Sequence, residues 1–334
     1  MANRHSRPLV VTTQAMQENI QRSLVEWANV RIPENESPDE LRKCLKEADA
    51  VIVRTTLPKD IFDDTPKLAI AARHGVGLDM IPVSQASGKG ILVTNTPNAN
   101  ANTVAEYVTG MILTVRRSIL QVRDAMTPYS QTGWFQGRAL AVNGLELSGS
   151  AIGIVGFGAI GKRLATILKS LGCDVSVHTR TVPENQEYPF LSLPDLARQS
   201  DVLVIACPLT EQTRGMIDRK LLSLMSPTSL LVNVARGPIV DIDAVACALI
   251  KGEIGAAIMD VHHQHPLPDN SPILTVPNLH ITPHIAGMSH NSMGQIGTRC
   301  VDSVKAALAG KHPEDLVNPE AFQAFSLRNL HRFF

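Results

Sequence analysis

The sequence predicts an α/β protein built on doubly wound parallel sheet, and three observations carry that prediction. Short apolar runs of strand length alternate with longer stretches of helical periodicity, the pattern of βα units laid into a parallel sheet. The runs Val202–Cys207 (VLVIAC) and Ser229–Ala235 (SLLVNVA) are almost continuously apolar, as strands covered on both faces must be. A third run, Ala151–Val155, passes directly into Gly156-Phe157-Gly158-Ala159-Ile160-Gly161 and then into a helical pattern. That is the first β-turn-α of a doubly wound fold.

Taken in order, Pro8–Thr13, Ala50–Arg54, Leu68–Arg73 and Ile91–Thr94 read as strands, with a helix over Pro38–Ala48 that carries proline in its first turn. The amphipathic stretch Asn102–Met126 reads as one long helix joining this first region to the next. Strands are then expected to begin near Ala151, Asp174, Asp201, Ser229, Gly255 and Asn278, each followed by room for a helix. A last helix, about Met288–Ala309, has no strand after it.

The chain has 334 residues, enough for about two domains with proper cores. Its 31 Lys and Arg balance 31 Asp and Glu, which gives no electrostatic case for nucleic acid or a membrane surface. With 3 Tyr, 2 Trp and 8 Phe, stacking platforms for bases are not expected either. No apolar run approaches the ~18 residues of a membrane span, and the opening MANRHSRPLVVTT lacks an apolar signal core. The 5 cysteines are scattered and form no CxxC pair. A cytoplasmic protein is expected.

The glycine turn is the strongest local signal. Its first glycine permits the tight turn, its second lets a pyrophosphate approach the backbone, and its third lets helix and strand pack closely. An NAD site usually places an acid ~20 residues further on, at the end of the next strand. Here that strand, DVSVHTR, ends on Thr179, Arg180 and Thr181. A hydroxyl and a guanidinium suit a ribose 2′-phosphate, which a carboxylate would repel. NADP(H) is therefore the favoured cofactor, with NAD(H) use left open.

Several further stretches carry a resemblance. They are ARHGVGLDMIPV (Ala72–Val83), NANANTVAEY (Asn98–Tyr107), CPLTEQTRGMI (Cys207–Ile217), NVARGPIVD (Asn233–Asp241), GAAIMDV (Gly255–Val261), TPHIAG (Thr282–Gly287) and LVNPEAF (Leu316–Phe322). With the glycine turn, and in this order, they make the chain resemble the D-isomer-specific 2-hydroxyacid dehydrogenases. That family includes glyoxylate/hydroxypyruvate reductases and phosphoglycerate dehydrogenases. The resemblance implies a Rossmann-type cofactor domain, residues 101–288, inserted in a smaller flavodoxin-like substrate domain made of residues 1–100 and 289–334. It also implies a homodimer formed through the cofactor domain, and a small anionic 2-oxo or 2-hydroxy acid as substrate.

The same resemblance assigns roles. Arg236 would hold the substrate carboxylate and polarise its carbonyl, a task suited to a guanidinium fork, and His284 would be the acid/base. The N–H groups of Val76 and Gly77, with Arg54, would bind substrate. Gly156, Gly158, Ala159, Ile160 and Gly161 would cradle the pyrophosphate, and Cys207, Pro208 and Thr213 would line the cofactor groove. Asp260 would hold the nicotinamide carboxamide, with the Val234 carbonyl and His284 nearby.

One position departs from the family. Its glutamate precedes the proline of a DVFxxEP-like segment, whereas this chain reads Asp260-Val261-His262-His263-Gln264-His265-Pro266. His265 thus stands where a carboxylate would raise the pKa of the acid/base, which a second imidazole cannot do. Three readings follow: a working substitute in an active dehydrogenase, chemistry without proton transfer as in the related formate dehydrogenases, or a weakly catalytic cofactor-sensing regulator. A phosphoglycerate dehydrogenase-like activity is a further alternative. Gln264, one residue away, would supply an amide after a small register shift. The three histidines lack a completing carboxylate or cysteine, so no metal site is expected.

Overall fold

The computed structural model describes residues 7–181 and 187–329; Met1–Ser6 of the N-terminal reading lie outside them. The chain divides into two compact units, Met1–Asn100 with Ser289–Phe334, and Ala101–Met288. The first unit opens with β1 (Leu9–Thr12), α1 (Glu18–Val25), β2 (Asn29–Arg31), α2 (Pro38–Leu45), β3 (Ala50–Val53), β4 (Ile70–Arg73), α3 (Val83–Gly88) and β5 (Leu92–Thr94). The second comprises α4 (Ala101–Arg116), α5 (Ile119–Ala125), α6 (Gln131–Val142), β6 (Ala151–Val155), α7 (Ala159–Ser170), β7 (Asp174–His178), α8 (Leu193–Gln199), β8 (Val202–Ile205), α9 (Arg219–Leu222), β9 (Leu230–Asn233), α10 (Ile242–Ile250), β10 (Ala256–Met259) and β11 (Leu279–Ile281). The first unit then resumes with α11 (His290–Leu308) and α12 (Phe322–Arg328).

In the first unit the strands run parallel in the order β2-β1-β3-β4-β5, the flavodoxin-like order. Alternation along the strands feeds two cores. Val10, Ile52, Ile70 and Leu92 face α1 and α11, while Val11, Val51, Val53, Ala71 and Val93 face α2 and α3. The final long helix, left without a strand in the sequence, therefore covers this sheet. It starts in a reciprocal cap between Ser289 and Ser292 and packs Gly297 on Ile20, where a Cβ would come within 2.8 Å. Beyond it, the Asn318 amide accepts from Val93 N–H at 2.7 Å and donates to Ile91 O at 3.0 Å.

The second sheet is also wholly parallel, ordered β11-β10-β9-β8-β6-β7. A single parallel bridge from Val177 to Phe190 stands outside β7, where the doubly wound order places one more strand. β8 and β9 are buried throughout, as their apolar runs require. The long helix expected over Asn102–Met126 is instead two helices. Ser118 adopts φ 52°, in the left-handed region, and separates α4 from α5. No helix among the described residues is long and apolar enough to cross a membrane.

Candidate active site

The glycine turn joins β6 to α7. Gly156 takes φ 103°, and a Cβ there would lie 2.7 Å from the Cys207 nitrogen; one at Gly161 would lie 2.1 Å from the Gly156 oxygen. Both positions are closed to side chains. Gly158 differs, since a Cβ on it would meet no heavy atom within 4 Å. It is also the N-cap of α7 and offers no side-chain cap, so the first N–H groups of Ala159, Ile160 and Gly161 are left for an anion. An open approach over a bare helix N-terminus fits a dinucleotide pyrophosphate.

Thr179 is half-buried just past β7, and Arg180 and Thr181 are exposed. The Thr213 hydroxyl donates to Pro208 O at 2.8 Å and accepts from Thr210 N–H at 2.8 Å, so it shapes the Cys207–Thr213 loop from within. Burial pushes the Cys207 thiol up to about 11, which leaves it protonated and unreactive at neutral pH.

The ends of β9 and β10 build the other half of the site in this unit. Asn233 is fully buried. Its amide accepts from Ala235 N–H at 3.1 Å and donates to Arg236 O at 3.0 Å, which folds Val234–Arg236 into a turn. Arg236 is half-buried and donates from Nη1 to Ala235 O at 2.7 Å. Gly237 packs so closely on the next loop that a Cβ would lie 2.2 Å from the His262 carbonyl carbon.

Asp260 follows β10 and is fully buried. Oδ1 accepts from the Thr282 hydroxyl at 2.7 Å and from Ile285 N–H at 2.8 Å, and Oδ2 accepts from Ala286 N–H at 2.9 Å. Because Thr282 spends its proton on Asp260, the Tyr107 hydroxyl, 2.6 Å away, donates to Thr282. The sequence resemblance gave Asp260 to the nicotinamide carboxamide. In the structure its carboxylate is buried and bonded to residues 282–286, so it also holds the loop that carries His284. That loop is unusual, with His284 at φ 58°, a conformation that needs support from its surroundings.

The histidines converge. The His265 ring lies 5.5 Å from that of His284 and 5.6 Å from that of His262, centroid to centroid. His265, and not Gln264, therefore stands against His284; Gln264 lines a separate cavity of about 250 Å³. His262 is buried, and its Nε2 is 2.9 Å from Thr282 O. A carbonyl only accepts, so Nε2 carries the proton. The backbone N–H of His262 points at His265 Nε2 across 3.4 Å. Burial holds His265 below the ordinary imidazole range, and the neighbouring His262 and Arg236 add to this while Asp260 partly opposes it. His265 is thus neutral at pH 7. Among the described residues no group of three or more His, Cys, Asp and Glu side chains is arranged to hold a metal ion.

The first unit has its own glycine turn after β4. The Arg73 guanidinium donates to Gly77 O at 3.0 Å, Val53 O at 3.0 Å and His74 O at 2.7 Å, and lies under Gly75. Asn95 Nδ2 donates to Val76 O at 2.8 Å. With the carbonyls of residues 74, 76 and 77 held by side chains, nothing among the described residues hydrogen-bonds the N–H of Val76 or Gly77. Arg54 is half-buried beside this loop and donates to Ala15 O; burial lowers its pKa from the usual value. His74 is buried, and desolvation with the charges of Arg54 and Arg73 pushes it down to about 4.

Sequence reading assigned no role to Asn233, Tyr107, Thr282, His262 or Arg73. All five stand in quoted motifs or beside one, but their work is to hold loops, which depends on contacts between distant strands' ends.

Comparisons with known proteins identify the family. The D-isomer specific 2-hydroxyacid dehydrogenase NAD-binding domain matches residues 109–286. A glyoxylate reductase of Aeropyrum pernix is 34% identical over 327 residues, spanning 94% of this chain and 97% of that protein. A D-3-phosphoglycerate dehydrogenase of Methanocaldococcus jannaschii is 32% identical over 316 residues, spanning 92% of this chain and 59% of that protein. Among solved structures, the NADPH-dependent glyoxylate/hydroxypyruvate reductase of Sinorhizobium meliloti in complex with NADP and malonate gives a TM-score of 0.81 at 29% identity, covering 95% of this chain and 98% of that one. Sequence, fold and glycine turn agree, and the chain belongs to the D-isomer-specific 2-hydroxyacid dehydrogenase family, NAD(P)-dependent oxidoreductases of the CH–OH group.

Proposed function

We propose that the protein reduces a small 2-oxo acid of the glyoxylate or hydroxypyruvate type to the 2-hydroxy acid at the expense of NADPH. The observation that supports this most is the grouping of Arg236, His265 and His284 at the carboxyl ends of strands in the unit that carries the glycine turn, where ligands of such sheets bind. The bound cofactor supplies a hydride to the substrate C2. Arg236 binds the carboxylate and polarises the C2 carbonyl. His284 gives its proton to the carbonyl oxygen, and takes it back in the reverse direction. His265, neutral, orients His284 without stabilising its charge. The N–H groups of Val76 and Gly77, with Arg54, are a carboxylate-binding element of the first unit taken by itself.

Cofactor choice rests on Thr179, Arg180 and Thr181, which replace the acid that would hold a 2′-hydroxyl. The relative bound to NADP supports the same choice. A homodimer is proposed on different grounds. α5 buries none of its residues and α6 buries only Gly133 and Gly137, while Ile119, Tyr129, Trp134, Phe135 and Val142 are exposed. An apolar helical pair of this sort calls for a second copy.

Initial rates with glyoxylate and hydroxypyruvate, using NADPH and NADH separately, test the reading. Turnover with NADPH preferred is expected. Tight NADPH binding without turnover on any 2-oxo acid would replace the enzyme with a cofactor-sensing regulator, and a preference for NADH would refute the role of Arg180.

A further inference from the structure

His262 is buried, lies outside the roles assigned above, and touches the supports of all three candidate catalytic groups. Its Nε2–H donates to Thr282 O at 2.9 Å, the same carbonyl that receives the N–H of His284 at 3.0 Å. One side chain is therefore pinned to the atom that closes the left-handed His284 turn. Its backbone N–H faces His265 Nε2 at 3.4 Å, and its ring lies 5.6 Å from the His265 ring. Its carbonyl is the surface on which Gly237 packs without a Cβ, directly after Arg236. The related family segment carries phenylalanine here, which fills space but donates nothing.

We infer that His262 is a positioning residue of the acid–base pair: it fixes the spacing of His265 against His284 and directs the His265 Nε2 lone pair inward, so that the His265 proton sits on Nδ1. The two departures from DVFxxEP then belong together. Where the carboxylate is replaced by an imidazole, the ring needs a set tautomer to serve as a defined neighbour of His284, and the backbone N–H of His262 sets it only while the side-chain bond to Thr282 O holds that N–H in place. The groups facing His265 are His262, His284, Arg236 and the buried Asp260; Asp243 and His263 line the same cavity as His262.

This inference rests on the proposed reductase reading, and its test separates the two. His262→Phe keeps the bulk and removes the donor, and His262→Gln returns a donor of similar reach. For His262→Phe, kcat with NADPH should fall ~10- to 100-fold through misplacement of the pair, with its pH limb displaced and the Kd for NADPH unchanged. His262→Gln should restore most of the rate and the wild-type limb. A His262→Phe enzyme that loses thermal stability but keeps kcat and pH limb would show that His262 merely fills the core. Imidazole 15N NMR reads the same claim without turnover: the wild type should show His265 protonated on Nδ1, and His262→Phe should mix its tautomers. A wild-type proton on Nε2 would overturn the inference even in a fully active enzyme.

Discussion

The two units each set a glycine turn after the carboxyl end of a parallel strand, yet they hold those turns in different ways. After β6 the backbone does all of it. Gly156 and Gly161 are closed to side chains, Gly158 faces open space, and α7 begins without a cap. After β4 a side chain does most of it, because Arg73 gathers three backbone carbonyls behind the turn and a second guanidinium, Arg54, lies near. The first design offers aligned N–H groups and the helix dipole. The second depends on the fixed fork of one guanidinium. The difference predicts where each turn breaks.

The largest effect is expected at Gly158. A Cβ at Gly158 meets no heavy atom within 4 Å, so Gly158→Leu extends into the space over α7 and should weaken NADPH binding about 1,000-fold, about 4 kcal/mol, in a fluorescence titration. Next is the buried His74. Its pKa is about 4 in the folded protein against 6.5 for an ordinary histidine, so the unfolded chain takes up the proton first as pH falls. Stability is fully present above about pH 6.5 and lost towards pH 4, by about 3 kcal/mol. Urea denaturation at the two pH values should show this loss, and His74→Gln should reduce it.

Smaller effects separate cofactor from substrate. Arg180→Asp should raise the Kd for NADPH about 30-fold, about 2 kcal/mol, and leave NADH binding within a few-fold. Arg73→Lys keeps a charge but loses the fork; it should raise the KM for the 2-oxo acid about 5- to 10-fold, about 1 kcal/mol, with the Kd for NADPH unchanged. If both binding constants rise together, the turn after β4 is a structural brace only.

The sheets were legible because apolar strands announce themselves. All strands of the second sheet begin within a residue of the expected places. β2 and α1 were missed for physical reasons: β2 is a short, largely exposed edge strand, and α1 has only Ile20 and Leu24 buried and no side-chain cap. Ser118 broke the expected long helix by taking a left-handed conformation, which nothing local in serine announces. Among the site residues, the glycines were readable since their spacing is their function. The bracing work of Asp260 was not, since only the loop 282–286 folding back on it shows which N–H and hydroxyl groups its oxygens hold. In the sequence His262 is one of three clustered histidines, while its structural significance lies in which carbonyl it reaches.

Product analysis with hydroxypyruvate and NADPH deuterated at the transferable C4 position tests the central claim most directly. The wild type should form the D-2-hydroxy acid carrying deuterium at C2, and His284→Gln should bind NADPH equally well while the rate drops ~10²- to 10⁴-fold. An L-product, a product without deuterium, or a His284→Gln rate equal to that of the wild type would contradict it.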